Sequence, residues 1–221
     1  MYYVLIGMVV VAAAHLLGMS KKKNNAIRDV YRKMLFKRKG EITKFKEHPA
    51  LPALKIRVAD DDAFFLLDTN GFSFIAVSPA LKEREDFWFE DSPGLLRTHP
   101  ATGNDFFDRR FFLWEAPREE ELRKRLLPLE LTNEIVNLKE FLDSKVKKFY
   151  FKGGSSKSYG GRSEWFKIET QNFPMKKHDL LRGKIVPFEV ETYETILDHC
   201  VQVYRQVKQA ATAPGGDGGE G

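Results

Sequence analysis

One cysteine in 221 residues, Cys200, leaves no internal disulfide to form, so packing alone must hold the fold. A lone thiol also agrees with a reducing compartment, as does the lack of any Asn-x-Ser/Thr glycosylation acceptor. Histidine is nearly as scarce: His15, His48, His99, His178 and His199 show no HExxH pair and no zinc spacing with the single cysteine. His199 and Cys200 are sequence neighbours whose side chains diverge on a helix, which removes a Cys–His nucleophile pair. No GxSxG elbow, dinucleotide fingerprint or deaminase signature occurs, and no repeat at a solenoid period. These absences exclude the readily recognised enzyme classes, so no catalytic residue, metal ligand or cofactor is expected. An enzyme whose site is assembled from residues far apart in sequence stays open as a third reading of function.

The other scarcity is local. Met1 to Met19 carry no charged side chain and only one titratable one, His15, before the run ends at Ser20 and the triplet Lys21, Lys22, Lys23. At 1.5 Å per residue such a run makes a helix of about 28 Å, close to the hydrocarbon thickness of a bilayer. Residues 1–19 are therefore expected to form one transmembrane helix. A cleavable signal would carry positive charge before its apolar core, and only the amino terminus precedes this one. Cleavage at Ala12-Ala13-Ala14 would leave a mature chain opening on a dense basic segment, and a buried core helix would not be terminal and this long. Tyr2 and Tyr3 suit the far interface, and His15 reaches the near one by snorkelling. Gly7, Ala14 and Gly18 are small enough to admit a neighbouring helix, although small residues are common in spans generally.

Beyond the run lies a basic collar, residues 20–48, with eleven Lys or Arg against Asp29, Glu41 and Glu47. The collar carries +8 and the rest of the chain −3, so the net +5 originates here. Under the positive-inside rule, the N-terminus lies outside and the large C-terminal part on the cytoplasmic side, or its organellar equivalent. Ile27, Val30, Tyr31, Met34 and Leu35 recur at helical spacing among Arg28, Arg32, Lys33, Lys37, Arg38 and Lys39, which predicts an amphipathic helix ending near Gly40. Its apolar stripe can dip into anionic headgroups or pack on protein, and both uses stay open. Lys21, Lys22, Lys23, Arg28, Arg32, Lys33, Lys37, Arg38 and Lys39 are accordingly the candidate contacts to anionic lipid or to a partner. Nucleic acid is disfavoured, because these cations lie against the expected membrane and the region beyond is slightly acidic.

Residues 49–208 are expected to form one α+β domain with a mainly antiparallel sheet and packed helices, and 209–221 a disordered Gly/Ala tail. Leu54, Ile56 and Val58 alternate with Lys55 and Arg57 as in a half-buried strand. The segments 63–67 and 72–77 flank Asp68-Thr69-Asn70-Gly71, where Asn-Gly can supply the positive φ values of a tight hairpin. Ser78-Pro79 resembles a capped helix start, 86–89 and 109–114 look like strands around a long loop, and Pro117 opens a helix broken at Pro128. A second helix follows through Leu131, Ile135, Leu138 and Leu142 to about Val146. Segments 149–151 and 165–168 are strand-like, and a last helix from 189 to 208 carries Tyr193, Leu197, Cys200, Tyr204 and Val207 on one seam. Seven strand-like segments before a terminal helix would also suit a pleckstrin-homology-like barrel.

Two further features invite chemistry. The loop containing Gly153, Gly154, Lys157 and Arg162 can expose backbone N–H groups to an anion, yet it fails the P-loop pattern, with Phe151 and Ser156 at the two glycine places. Asp60, Asp61 and Asp62 end an apolar strand, where a solvated turn is favoured over a nucleophile or cation site. Together these features point to a single-pass, membrane-anchored accessory or scaffolding subunit that binds other protein subunits. The alternative is a tethered module for anionic lipid or phosphate ligands.

Overall fold

The computed structural model describes residues 2–46, 48–68, 71–79, 87–91, 102–115, 120–142, 148–153, 165–171, 176–179, 184–187 and 190–212; the side chains of 2–17, 19, 87, 88, 113–115, 122, 148–153, 171, 176–179 and 184–187 fall outside this description. One helix, α1 (Tyr2–Leu35), runs from the apolar segment into the collar without a break. It stops five residues before Gly40, where the sequence reading had placed its cap. A Cβ at Gly40 would meet the Lys55 carbonyl oxygen at 2.6 Å, so this glycine admits a neighbouring strand instead of capping a helix. Among the described residues no helix is long and apolar enough to cross a membrane.

After α1 come β1 (Glu41–Lys44), β2 (Pro52–Val58), β3 (Asp61–Leu67), β4 (Phe72–Val77), β5 (Phe87–Asp91), α2 (Asp105–Arg110) and β6 (Phe111–Glu115). These lead to α3 (Glu120–Leu126), α4 (Leu129–Leu142), β7 (Lys148–Gly153), β8 (Trp165–Gln171), β9 (Lys176–Asp179), β10 (Lys184–Pro187) and α5 (Val190–Thr212). Strands β1 to β8 form one antiparallel sheet in the order β1-β2-β3-β4-β8-β7-β5-β6, and β9 pairs with β10 separately. The fold is thus α+β with packed helices. Among the described residues β1 pairs with β2 and β6 with β5, and no pairing joins these two edge strands.

Both early hairpins form, and the first turns one residue earlier than the Asp60-Asp61-Asp62 stretch suggested. The tight turn is Ala59-Asp60, between paired Val58 and Asp61, and both residues have positive φ, 49° and 70°. The second hairpin is closed by Asp68, which donates its backbone N–H to the Gly71 carbonyl at 2.8 Å, and by the pair Leu67 and Phe72; Asn70 of the expected Asn-Gly turn lies outside the described residues. Gly71 is required for contact, since a Cβ there would lie 2.1 Å from the Thr170 carbonyl oxygen. Ala59 and Asp60 each hold a left-handed conformation that costs an L-residue about 1–2 kcal/mol. Replacing the pair by Asn-Gly should raise stability by about 1 kcal/mol, read as an upward shift of the thermal midpoint. An unchanged or lower midpoint would show that the turn is not strained.

Strand alternation sorts the side chains. Leu54, Ile56, Val58, Ala63, Phe65, Leu67, Phe72, Phe74, Ala76, Phe166 and Ile168 point to one face and share a core with α1, α4 and α5. Phe45, Ala53, Leu66 and Ile75 form a smaller cluster on the other face, with Phe64 packed against it. The stripe of α1 belongs to the main core: Ile27, Val30, Tyr31 and Met34 are all buried, and Leu35 packs beside them. Protein therefore covers that stripe. The Tyr31 hydroxyl accepts from Leu67 N–H and donates to the Phe65 carbonyl, both at 2.9 Å, which closes the free backbone groups at the end of β3.

Further differences from the sequence reading are local. A six-residue helix, α2, occupies residues expected to lead straight into a strand, and the Asn104 side chain caps it by accepting from Phe106 and Phe107 N–H. The second helix is described to Leu142, and its expected end at Val146 lies outside the described residues. The last helix continues to Thr212, so 209–212, expected in the tail, are helical, with Ala210 and Ala211 buried. The helix start expected after Ser78-Pro79 and the tail beyond 212 lie outside the described residues.

Candidate functional site

Helix α1 carries the candidate site, because it joins the apolar run to the core and bears most of the collar's charge. With Ile27, Val30, Tyr31 and Met34 turned inward, a 3.6-residue period puts Lys21, Lys22, Arg28, Arg32 and Lys33 on the other side. Asp29 is the acid among them, and Arg32 pairs with it at 2.6 Å. Lys23 is turned the other way and pairs with Asp68, while the Asn24 amide donates to the Ala50 carbonyl at 2.9 Å. These two contacts fasten α1 to the β3–β4 loop and to the turn before β2.

Lys37, Arg38 and Lys39 lie just beyond the helix and divide differently. Lys37 pairs at 2.7 Å with Glu194, a carboxylate nearly buried on α5, and Arg38 pairs with Asp198 at 3.0 Å. The Glu194 hydrogen bond and charge raise the Lys37 pKa above its ordinary value. Lys39 is exposed. Lys37 and Arg38 thus bind the α1 end to α5, whereas among the described residues Lys21, Lys22, Arg28, Lys33 and Lys39 have no acidic partner. Of the loop candidates, Gly153 is the last residue of β7; Gly154, Lys157 and Arg162 lie outside the described residues.

Two buried ionic clusters escaped the sequence reading. Asp61, expected in a solvated turn, opens β3 with little exposure; Lys208 sits 2.7 Å from its Oδ2 and Tyr204 donates its hydroxyl to the same oxygen. Lys208 also donates to the Ala59 carbonyl, which ties α5 to the strained turn. Burial pushes the Asp61 carboxyl up, but hydrogen bonds from Lys208 and Tyr204 outweigh it and leave the group below its ordinary value. Ser78 adds to that pull, with a buried hydroxyl that lies close without completing good hydrogen-bond geometry. Asp60 is exposed, and the part-exposed Asp62 pairs with Lys55 at 3.0 Å.

The second cluster centres on Asp91 at the end of β5. Its Oδ2 lies 3.1 Å from Lys139 Nζ on α4, and Arg110 Nε approaches Oδ1 at 3.2 Å without completing a hydrogen bond. Both Asp91 and Lys139 are buried. A sequence signal existed for Lys139, which falls four residues after Ile135 on the apolar stripe of α4; none existed for Asp91. These pairs lock elements together, and among the described residues no group of three potential ligands could hold a metal ion.

The fold and this helix define an α+β protein in which one long N-terminal helix is built into the core and continues into an uncharged run. No protein-family model matches the chain, and no curated protein matches it. Among solved structures it is similar to the crystal structure of the mycobacterial trehalose monomycolate transport factor A, TtfA, at 8% identity and a TM-score of 0.32, over 75% of this chain and 83% of that one. A likeness at that level supports neither a shared function nor a shared partner.

Proposed function

We propose that the chain is a single-pass, membrane-anchored accessory or scaffolding subunit. In this reading residues 1–19 span the bilayer with the N-terminus outside, and the domain on the cytoplasmic or equivalent organellar side binds other proteins of a membrane complex. The observation that carries it is the continuity of α1: an uncharged run of membrane-spanning length and the core-packed segment Ile27–Met34 belong to one helix. Anchor and domain then move as a unit, as a subunit with a defined docking pose requires. Phe36, Phe106, Leu129 and Phe141 are large apolar side chains left exposed for such contacts. A second reading, a tethered module for anionic ligands, is favoured by the seven collar cations, Lys44 and Lys46 among them, that lack an acidic partner among the described residues.

Carbonate washing should leave the chain in the vesicle pellet, and protease added from the cytosolic side should digest the domain. Purification in mild detergent should then retain at least one companion chain in fixed stoichiometry. Release by carbonate would end the anchor, and a monodisperse lone monomer would end the scaffolding role.

A further inference from the structure

The sheet has a distinct end nearest the uncharged run, and cations from two separate stretches of sequence meet there. Helix α1 descends from that end and β1 climbs back to it, because Lys44 pairs with Pro52 and the turn 45–51 returns under Asn24, whose amide holds Ala50. Lys44 and Lys46, more than twenty positions from Lys21 and Lys22 in sequence, thus come to the same level of the molecule. All four are exposed, and among the described residues none has an acidic partner. The nearby acid Asp68 is taken by Lys23, and Glu47 lies outside the described residues. The opposite end of the same strands differs: Glu41 and Asp62 approach Lys55 there, and Asp61 pairs with Lys208, so acids face both of these lysines.

We infer that this end of the domain is a lipid-contact face on which Lys21, Lys22, Lys44 and Lys46 rest against anionic headgroups and set the pose of the domain on the bilayer. The inference rests on the anchor reading, which places this end within a few residues of the membrane surface. The occupant is an anionic leaflet, since exposed lysines without an acidic partner among the described residues, beside an uncharged run, face headgroups before they face any soluble acid. The apolar stripe of α1 is spent on the core, so contact here is by charge, and salt should weaken it.

The full chain reconstituted into nanodiscs of pure phosphatidylcholine, or with phosphatidylserine added, tests this through the acetylation rate of each lysine. A surface potential of about −30 mV lowers the unprotonated fraction of a nearby amine about threefold. Lys21, Lys22, Lys44 and Lys46 should therefore react about threefold more slowly, or slower still, in anionic discs, with the difference reduced at about 0.5 M salt. Lys39, past the far end of the core-packed helix, should react equally in both. Equal rates at Lys44 and Lys46 in the two compositions, with the chain retained in the discs, would overturn the lipid face and leave the anchor standing. A chain that enters discs of neither composition would overturn the anchor and the inference with it.

Discussion

Replacing Lys139 by methionine is expected to lower stability by about 4 kcal/mol, a large share of the roughly 5–15 kcal/mol that holds a typical domain together. Methionine fills nearly the same volume, so lost packing is small and the effect reports the charge. With the ammonium gone, the Asp91 carboxylate stays buried, and among the described residues Arg110 is the cation left beside it, half exposed and not aligned for a hydrogen bond. The thermal midpoint should fall by about 8–16 °C for a chain of this size. A double variant, Lys139→Met with Asp91→Leu, should recover most of the loss, because a buried ion pair replaced by apolar groups of similar volume is often neutral. If the two substitutions were simply additive, the pair would not be coupled and the account of α4 docking on β5 would fail.

Asp61→Asn is expected to cost about 3 kcal/mol near neutral pH, measured by thermal or chemical unfolding. The amide cannot pair with Lys208, and it offers the Tyr204 hydroxyl a weaker acceptor. The pH dependence has a definite sign. The folded-state pKa of Asp61 lies below its ordinary value of 3.8, so the stabilisation from its ionised form is complete above that value. It is lost as pH falls through the lower folded-state value. The wild type should therefore converge on the variant in acid below about pH 4 and separate from it above. A gap independent of pH would mean that the loss comes from packing and not from the ionised carboxylate.

The elements most legible in the sequence were those whose side chains repeat at the period of the structure. Leu54, Ile56 and Val58 alternate because β2 has one face on the core, and the α1 stripe recurs at helical spacing for the same reason. Short elements escaped: β1 has four residues and α2 six, too few to show a period, although Asn104-Asp105 is a readable helix start. Glycine was misread where contact and not conformation required it. Gly40 and Gly71 sit where a Cβ would strike a neighbouring carbonyl, and that neighbour is a different strand in each case.

Sequence by itself determined the local patterns: an uncharged run of spanning length, a basic collar with an apolar stripe, and hairpins between alternating segments. Only the tertiary structure decided what those patterns meet. It packed the α1 stripe on its own sheet, assigned Lys23, Lys37 and Arg38 to Asp68, Glu194 and Asp198, and buried Asp61 beside Lys208 and Asp91 beside Lys139. Periodicity reports which face of an element avoids water, since burial acts on each residue separately. The choice of an ionic partner depends on which distant segments chain reversal brings within a few ångströms, and no local spacing encodes that distance.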